Sequence, residues 1–126
     1  MNLSPIMRNL DPSEPSMRVF DNYVTINSAA AGLLGVQADG YVQFRFDKVS
    51  SMGGRVRLFI GRADNGSMAF RMTGRKGRTA LYCYSRVLAH YLSESLEGFG
   101  HYRICPEDKA EGVEGDWFGI FHKRYD

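Results

Sequence analysis

The chain has 126 residues, of which 44% are hydrophobic, and a formal net charge of +2. That length suits one domain able to bury a core without disulfide or metal staples, and the hydrophobic share excludes a disordered chain. No apolar run approaches the roughly 18 residues of a membrane helix and no signal-peptide pattern opens the chain, so the expectation is a cytoplasmic protein with no membrane contact.

Residues 1–16 hold three of the four prolines, Pro5, Pro12 and Pro15, and lack periodicity. They read as an extended or disordered N-terminal arm, with a single domain over 17–126. "MRVFDNYVTIN" is rich in β-branched and aromatic residues and reads as a strand. Asn27 or Ser28 can cap a helix through "AAAGLL", which Gly35 stops. "YVQFRFD" alternates, with Val42, Phe44 and Phe46 on one face and Gln43, Arg45 and Asp47 on the other. After the "SSMGG" turn, "RVRLFI" sends Val56, Leu58 and Ile60 inward and Arg55 and Arg57 outward. "RADNGS" is a turn, and "MAFRM" puts Met68, Phe70 and Met72 on one face.

"TGRKGR" reads as a loop and "TALYCYS" as a strand. Ser85 can cap a helix over "RVLAHYLSESLE", whose Leu88, Tyr91, Leu92 and Leu96 share a face, and Gly98 ends it. "HYRIC" is a strand, "PEDKAEGVEGD" an acidic loop and "WFGIFHK" the last strand. Trp117 and Phe121 fall on one side of that strand and Phe118 and Ile120 on the other, so it is covered on both sides or forms an oligomer contact. The fold class is α+β, mainly antiparallel sheet with two short helices. The order of elements, though not residue identity, raises a duplicated βαββ unit with repeats at 17–63 and 79–124.

Charge is unevenly spread. Arg55, Arg57, Arg62, Arg71, Arg75, Lys76 and Arg78 face a single acid, Asp64, between positions 55 and 78, whereas the stretch from Glu94 to Asp116 is acid-rich. One electropositive and one electronegative surface are expected. "FRMTGRKGRTA" carries the best functional signal: Arg71, Arg75, Lys76 and Arg78 are interrupted by Gly74 and Gly77, which let backbone and cations approach phosphates. The competing reading is a solvated hairpin tip that keeps a sheet edge soluble. It is not a P-loop, since the phosphate-binding spacing is missing and a strand follows. Arg45, Arg55 and Arg57 form a second basic patch, for which ordinary exposed arginine is the alternative. Tyr41, Tyr82, Tyr84, Tyr102 and Trp117 could stack bases, or simply pack a small core.

His90, His101 and His122 are scattered without metal-ligand spacing. Ser85, His90 and Cys83 lie close in sequence, but capping accounts for Ser85. Glu94 and Glu97 read as a solvated helix face. Cys83 and Cys105 read as buried reduced thiols. No enzyme, cofactor or metal is expected.

The stretch with Val24-Thr25-Ile26, Leu34-Gly35 and the alternating Val42–Phe46 resembles the AbrB/SpoVT swapped-hairpin family of prokaryotic regulators and antitoxins, over residues 19–60. It departs from the family pattern at Asn27, where a proline is usual, at the inverted turn Asp39-Gly40, and in a first strand that offers Arg18 beside Asp21. Members usually dimerise to complete one barrel; a second degenerate copy would let this chain supply both halves. The resemblance implies transcription regulation and DNA binding. The expectation is a nucleic-acid-binding protein, a duplex-DNA regulator or accessory factor that holds phosphates on its basic strands and glycine-basic loop. Two alternatives stand beside it. One is single-stranded nucleic-acid binding on an aromatic sheet face. The other is an antitoxin-like or mobile-element accessory module meeting a homodimer mate or partner protein through the acidic loop or the C-terminal strand.

Overall fold

The computed structural model describes residues 12–48, 56–66, 68–111 and 115–125. The chain runs β1 (Ser16–Val19), β2 (Val24–Ile26), α1 (Ser28–Leu34), β3 (Tyr41–Lys48), β4 (Val56–Ala63), β5 (Phe70–Arg71), β6 (Thr73–Gly74), β7 (Leu81–Cys83), α2 (Arg86–Ser95), β8 (Gly100–Glu111) and β9 (Asp116–Ile120). Arg55 and the "SSMGG" turn lie outside the described residues, as do the side chains of Asp47 and Val56.

The strands form one nine-stranded sheet in the order β5-β3-β4-β9-β8-β1-β2-β7-β6, with every pair antiparallel. Its two outermost strands, β5 and β6, are separated in the chain by Met72 alone. The Met72 N–H donates to the Gly40 carbonyl at 2.7 Å and its own carbonyl accepts from the Asp39 N–H at 2.7 Å. A single bent segment, Phe70–Gly74, thus joins both edges, and the sheet closes on itself as a barrel. Closure satisfies the edge groups that an open sheet leaves unpaired.

Inward residues follow the period of two. Met17, Val19, Val24, Ile26, Val42, Leu58, Ile60, Leu81, Ile104, Phe118 and Ile120 are buried in one cluster that also takes in Ala30 and Leu34 of α1 and Leu88, Ala89 and Leu92 of α2. Helix α1 starts at Asn27, whose side chain accepts from the Ala30 N–H, and stops at Gly35 in the left-handed conformation (φ 72°). Helix α2 is capped by Ser85, which accepts from the Leu88 N–H at 3.1 Å.

The strand pairings are unchanged when β1-β2-α1-β3-β4 is exchanged with β5/β6-β7-α2-β8-β9. β1 pairs β2 as β6 pairs β7, β3 pairs β4 as β8 pairs β9, and β1 pairs β8 as β5 pairs β3. The ladders β2·β7 and β4·β9 are self-matched, centred on the pairs Thr25–Tyr82 and Ile60–Phe118. The register agrees as well: Tyr41 pairs Ala63 where Phe121 bonds Arg103, and Val42 pairs Arg62 where Ile104 pairs Ile120. The difference lies at a bulge in β8 between Cys105 and Lys109, and in three more helical residues in α2 (10 against 7). The two self-matched ladders sit on opposite walls of the barrel, separated by two strands on either side when β5 and β6 count as one.

Four expectations need correction. The arm does not end at residue 16: Ser16 is buried in β1, the Pro15 carbonyl accepts from the Ile104 N–H, and the Asn27 side-chain amide donates to the Glu14 carbonyl at 2.6 Å. The first strand is a hairpin, because Phe20 N–H bonds the Tyr23 carbonyl and turns the chain. Met68 does not share a face with Phe70 and Met72; it is exposed, and Met72 is buried at the bend. The "acidic loop" is largely strand. β8 continues through Pro106–Glu111, and the bulge accommodates the proline, which cannot donate to a ladder.

On the outer side of β4·β9, Trp117 lies over Gly61, where an added Cβ would sit 2.8 Å from the indole. Phe59, which pairs Gly119, has the exchange-equivalent position and is covered by the Arg57 guanidinium 4.7 Å from its ring centre. A large ring over Gly61 fills this wall without overpacking it, and over Gly119 the space is taken by the Asp108 side chain.

Two outcomes follow. Leu92 is fully buried, and Leu92→Ala should cost about 2–5 kcal/mol in denaturant unfolding; a loss below about 1 kcal/mol would place this helix face outside the core. Asn27 joins three elements, accepting from the N–H groups of Ala30 and Ser16 and donating to Glu14. Asn27→Ala should therefore cost about 2–3 kcal/mol, more than a helix cap alone; circular dichroism melts would check it.

Candidate nucleic-acid interface

The basic motif folds into the turn that leads from the closing strand into β7. The Arg78 N–H bonds the Arg75 carbonyl at 3.0 Å, and Gly77 takes φ 77°, a conformation that L side chains rarely adopt. This turn explains Gly77: the third position of such a four-residue turn needs positive φ. Arg75, Lys76 and Arg78 are all exposed on it.

Behind the turn lies the outer face of β1, β2 and β7. Register places Arg18, Thr25, Tyr82 and Thr73 in one row across β1, β2, β7 and β6. The Arg75 guanidinium lies 5.2 Å above the Tyr82 ring, and Arg18 lies 5.8 Å from the Phe20 ring. Tyr82 and Tyr84, two residues apart on one strand face, have rings 6.0 Å apart and nearly parallel at 7°. Tyr23 joins them at 6.2 and 5.9 Å and stacks on Phe20 at 4.4 Å. Four aromatic rings and two guanidiniums thus form a continuous patch beside the basic turn. Tyr82 is buried under its neighbours, whereas Tyr84 is 58% exposed and presents a ring to solvent. A carboxylate, Asp21, borders the patch beside Phe20 and is held by the His90 ring at 2.8 Å.

The seven sequence-selected cations are not brought together. Arg75, Lys76 and Arg78 share the turn. Arg71, on β5, donates to the Asp39 carboxylate at 2.5 Å, and that contact raises its pKa further, the hydrogen bond being the largest cause. Asp39 itself sits at φ 70°, which an aspartate tolerates better than most side chains. Arg57 is paired with Asp108 and stacked on Phe59, on the opposite wall of the barrel. Arg45, on β3, is exposed away from the aromatic patch. Arg55 lies outside the described residues. Of the second basic patch, Arg57 is thus compensated by Asp108 from the β8 bulge; nearby, Arg103 pairs with Glu107, whose carboxyl is pulled below the usual range chiefly by the Arg103 hydrogen bond.

Of the aromatic candidates, Tyr102 is a core residue whose hydroxyl donates to the Gly98 carbonyl and accepts from the Glu97 N–H. Trp117 packs on Gly61, and Tyr41 is half-buried. Sequence reasoning missed Phe20, Tyr23 and Arg18 as part of the patch. Their signal was present in "RVFDNY", but it shows only once the hairpin turn brings Tyr23 beside Tyr82. Ser85, His90 and Cys83 form no catalytic set: Ser85 caps α2, His90 faces Asp21 and Cys83 points into the core. Among the described residues no group of three His, Cys, Asp or Glu could hold a metal ion. No helix of the described residues is long and apolar enough to cross a membrane.

No protein-family model matches the chain, and neither a curated protein nor a solved structure matches it.

Cys83 and Cys105 are free and buried, and burial pushes both thiols up, opposed at Cys105 by Arg103. The folded state thus holds these protons longer than the unfolded chain does. The linked stability is fully present below the ordinary thiol range and lost as pH rises through and beyond it. Denaturant midpoints should fall above about pH 8.5, and less steeply in Cys83→Ala/Cys105→Ala than in the parent protein; equal slopes would remove the thiols from the pH dependence.

Proposed function

We propose that this protein binds nucleic acid, with the turn Arg75–Arg78 holding phosphates and the adjoining aromatic patch stacking unpaired bases. The observation that carries the reading is the Arg75 guanidinium on Tyr82 beside the exposed, parallel Tyr84 ring, with Lys76 and Arg78 on the same turn. Single-stranded segments need this combination of a basic track and accessible rings. The geometry favours single strands over the duplex because two of the strand arginines expected to track a duplex backbone, Arg57 and Arg71, already hold carboxylates. The exchange symmetry of the barrel supports the swapped-hairpin resemblance, with one chain supplying both halves; regulation of transcription remains part of that proposal.

The test is fluorescence polarisation with a labelled oligonucleotide and its duplex at two salt concentrations. The parent should bind the single strand more tightly. Arg75→Ala/Lys76→Ala/Arg78→Ala should weaken binding to every sequence and reduce the magnitude of the salt slope by roughly 0.7 per lost contact. Tyr84→Ala should weaken single-strand binding by about 1–3 kcal/mol and leave the melting temperature nearly unchanged. A parent that binds neither probe overturns the proposal. Duplex preference with an unaffected Tyr84→Ala variant would replace base stacking by backbone contact alone.

A further inference from the structure

The longer helix α2 and the wall β3-β4-β9-β8 enclose an open cleft of about 930 Å³, which shares no lining residue with the aromatic patch. Its floor is apolar: Leu58 of β4, Ile120 of β9 and Cys105 of β8 are buried beneath it. Its sides are aromatic. Phe46 and Tyr91 meet edge to face at 5.2 Å, and Phe121, 47% exposed, stands across from them. Tyr91 is also half exposed. Pockets of this size with an apolar lining and few polar groups are where small ligands bind.

The rim selects the sign of the ligand. Glu94, Ser95 and Glu97 lie along it, at the C-terminal end of α2. A helix C-terminus carries partial negative charge, and α2 has no basic residue in its last turn to offset it. Glu94 is exposed. Glu97 accepts the backbone N–H of Arg124 at 2.7 Å, while the Arg124 guanidinium turns to the Phe99 carbonyl at 3.2 Å. On the opposite rim the cation Arg57 is held by Asp108. His122 completes the described lining. Among the described lining residues three carboxylates, Glu94, Glu97 and Asp108, stand against one guanidinium, Arg57, which Asp108 already engages.

The exchange symmetry shows that the cleft is specific to this half of the barrel. Ile120 has Arg62 as its counterpart, and the Arg62 side chain lies within 4 Å of where Cβ atoms on Gly35 and Gly115 would stand. Cys105 has Gln43. Among the described residues, Ile120 and Cys105 of this floor thus have polar counterparts, and α2 is three residues longer than α1.

We propose that this cleft binds a small amphiphilic cation, an alkyl- or arylammonium, with its apolar body against Leu58, Ile120 and the three rings and its ammonium at Glu94, Glu97 and the helix end. Aromatic side chains beside the entrance favour a cation further. The site is separate from the proposed nucleic-acid patch, so its test is independent of that function.

Three probes of matched size test it: 2-phenylethylammonium, 2-phenylethanol and phenylacetate, titrated into the full chain and followed by amide chemical shifts. The ammonium should bind at least five-fold more tightly than the alcohol, with shifts at residues 91–97 and 118–122, and the carboxylate should bind more weakly than either. In Glu94→Gln/Glu97→Gln, whose changes are confined to exposed side chains, the ammonium should fall to within about two-fold of the alcohol while the alcohol is unchanged. A melting curve confirms that the variant folds. Absence of binding by all three probes, preference for the carboxylate, or shifts confined to Tyr84 and Arg75 would each overturn the proposal.

Discussion

Met72 is the residue on which the architecture turns. Its N–H and carbonyl both bond the Asp39-Gly40 turn, and its side chain is buried. Two residues before it pair with β3 and two after it pair with β7, so one five-residue segment stitches the two ends of the sheet. An extended strand could not serve two neighbours that diverge around a cylinder; the bend at Met72 lets it do so. Asp39 reinforces the joint twice, through its N–H to Met72 and its carboxylate to Arg71. The inverted Asp-Gly order relative to the swapped-hairpin pattern has this local use. Without the closing segment, β3 and β7 would each present an open edge, and the two halves would be held on one side only.

The closure also produces the exchange symmetry. Once the halves are joined at β2·β7 and β4·β9, each self-matched ladder has its own wall, and the walls can diverge in chemistry while keeping the same backbone. They have done so. The β2·β7 wall carries tyrosines and the basic turn; the β4·β9 wall carries ring-over-glycine packing and arginines paired with the β8 acids. The bulge of β8 is the largest departure from symmetry. It brings Asp108 to Arg57, and it lies on the side where the apolar cleft opens below α2.

Local signals were legible where a single element decides the outcome. The two helices, their caps at Asn27 and Ser85 and the stop at Gly35 follow from short-range chemistry, and the alternation of β3 and β4 from the period of two. The misses involve partners distant in sequence. Asn27 reads as a helix cap, yet it also fastens Ser16 and Glu14, eleven and thirteen residues away. The acid run from Pro106 to Glu111 has the composition of a loop, but Arg103 and Arg57 give its carboxylates a reason to lie along a strand. "FRM" alternates as a strand should, and nothing local marks Met72 as a corner. Of the candidate site, the basic turn was visible in composition, whereas the aromatic half required knowing that β2 and β7 are neighbours.

The fate of the arginines follows from where each sits. A side chain on a strand has fixed cross-strand and diagonal neighbours within reach, so a cation there can be met by an acid that the register brings close. Arg71 is met in this way by Asp39, two residues before its cross-strand partner Tyr41, whereas Arg57 is met by Asp108, which the β8 bulge brings to it across β9. A cation at the tip of a four-residue turn has no such neighbour row. Arg75, Lys76 and Arg78 extend beyond the sheet, and among the described residues the partner Arg75 finds is a ring, which orders the guanidinium without supplying a countercharge. Exposed surface pairs contribute little to stability, so the pairing on the strands serves chiefly to remove charge there. The turn keeps its charge. In a chain with a net charge of only +2, three exposed cations thereby stand together beside the aromatic patch.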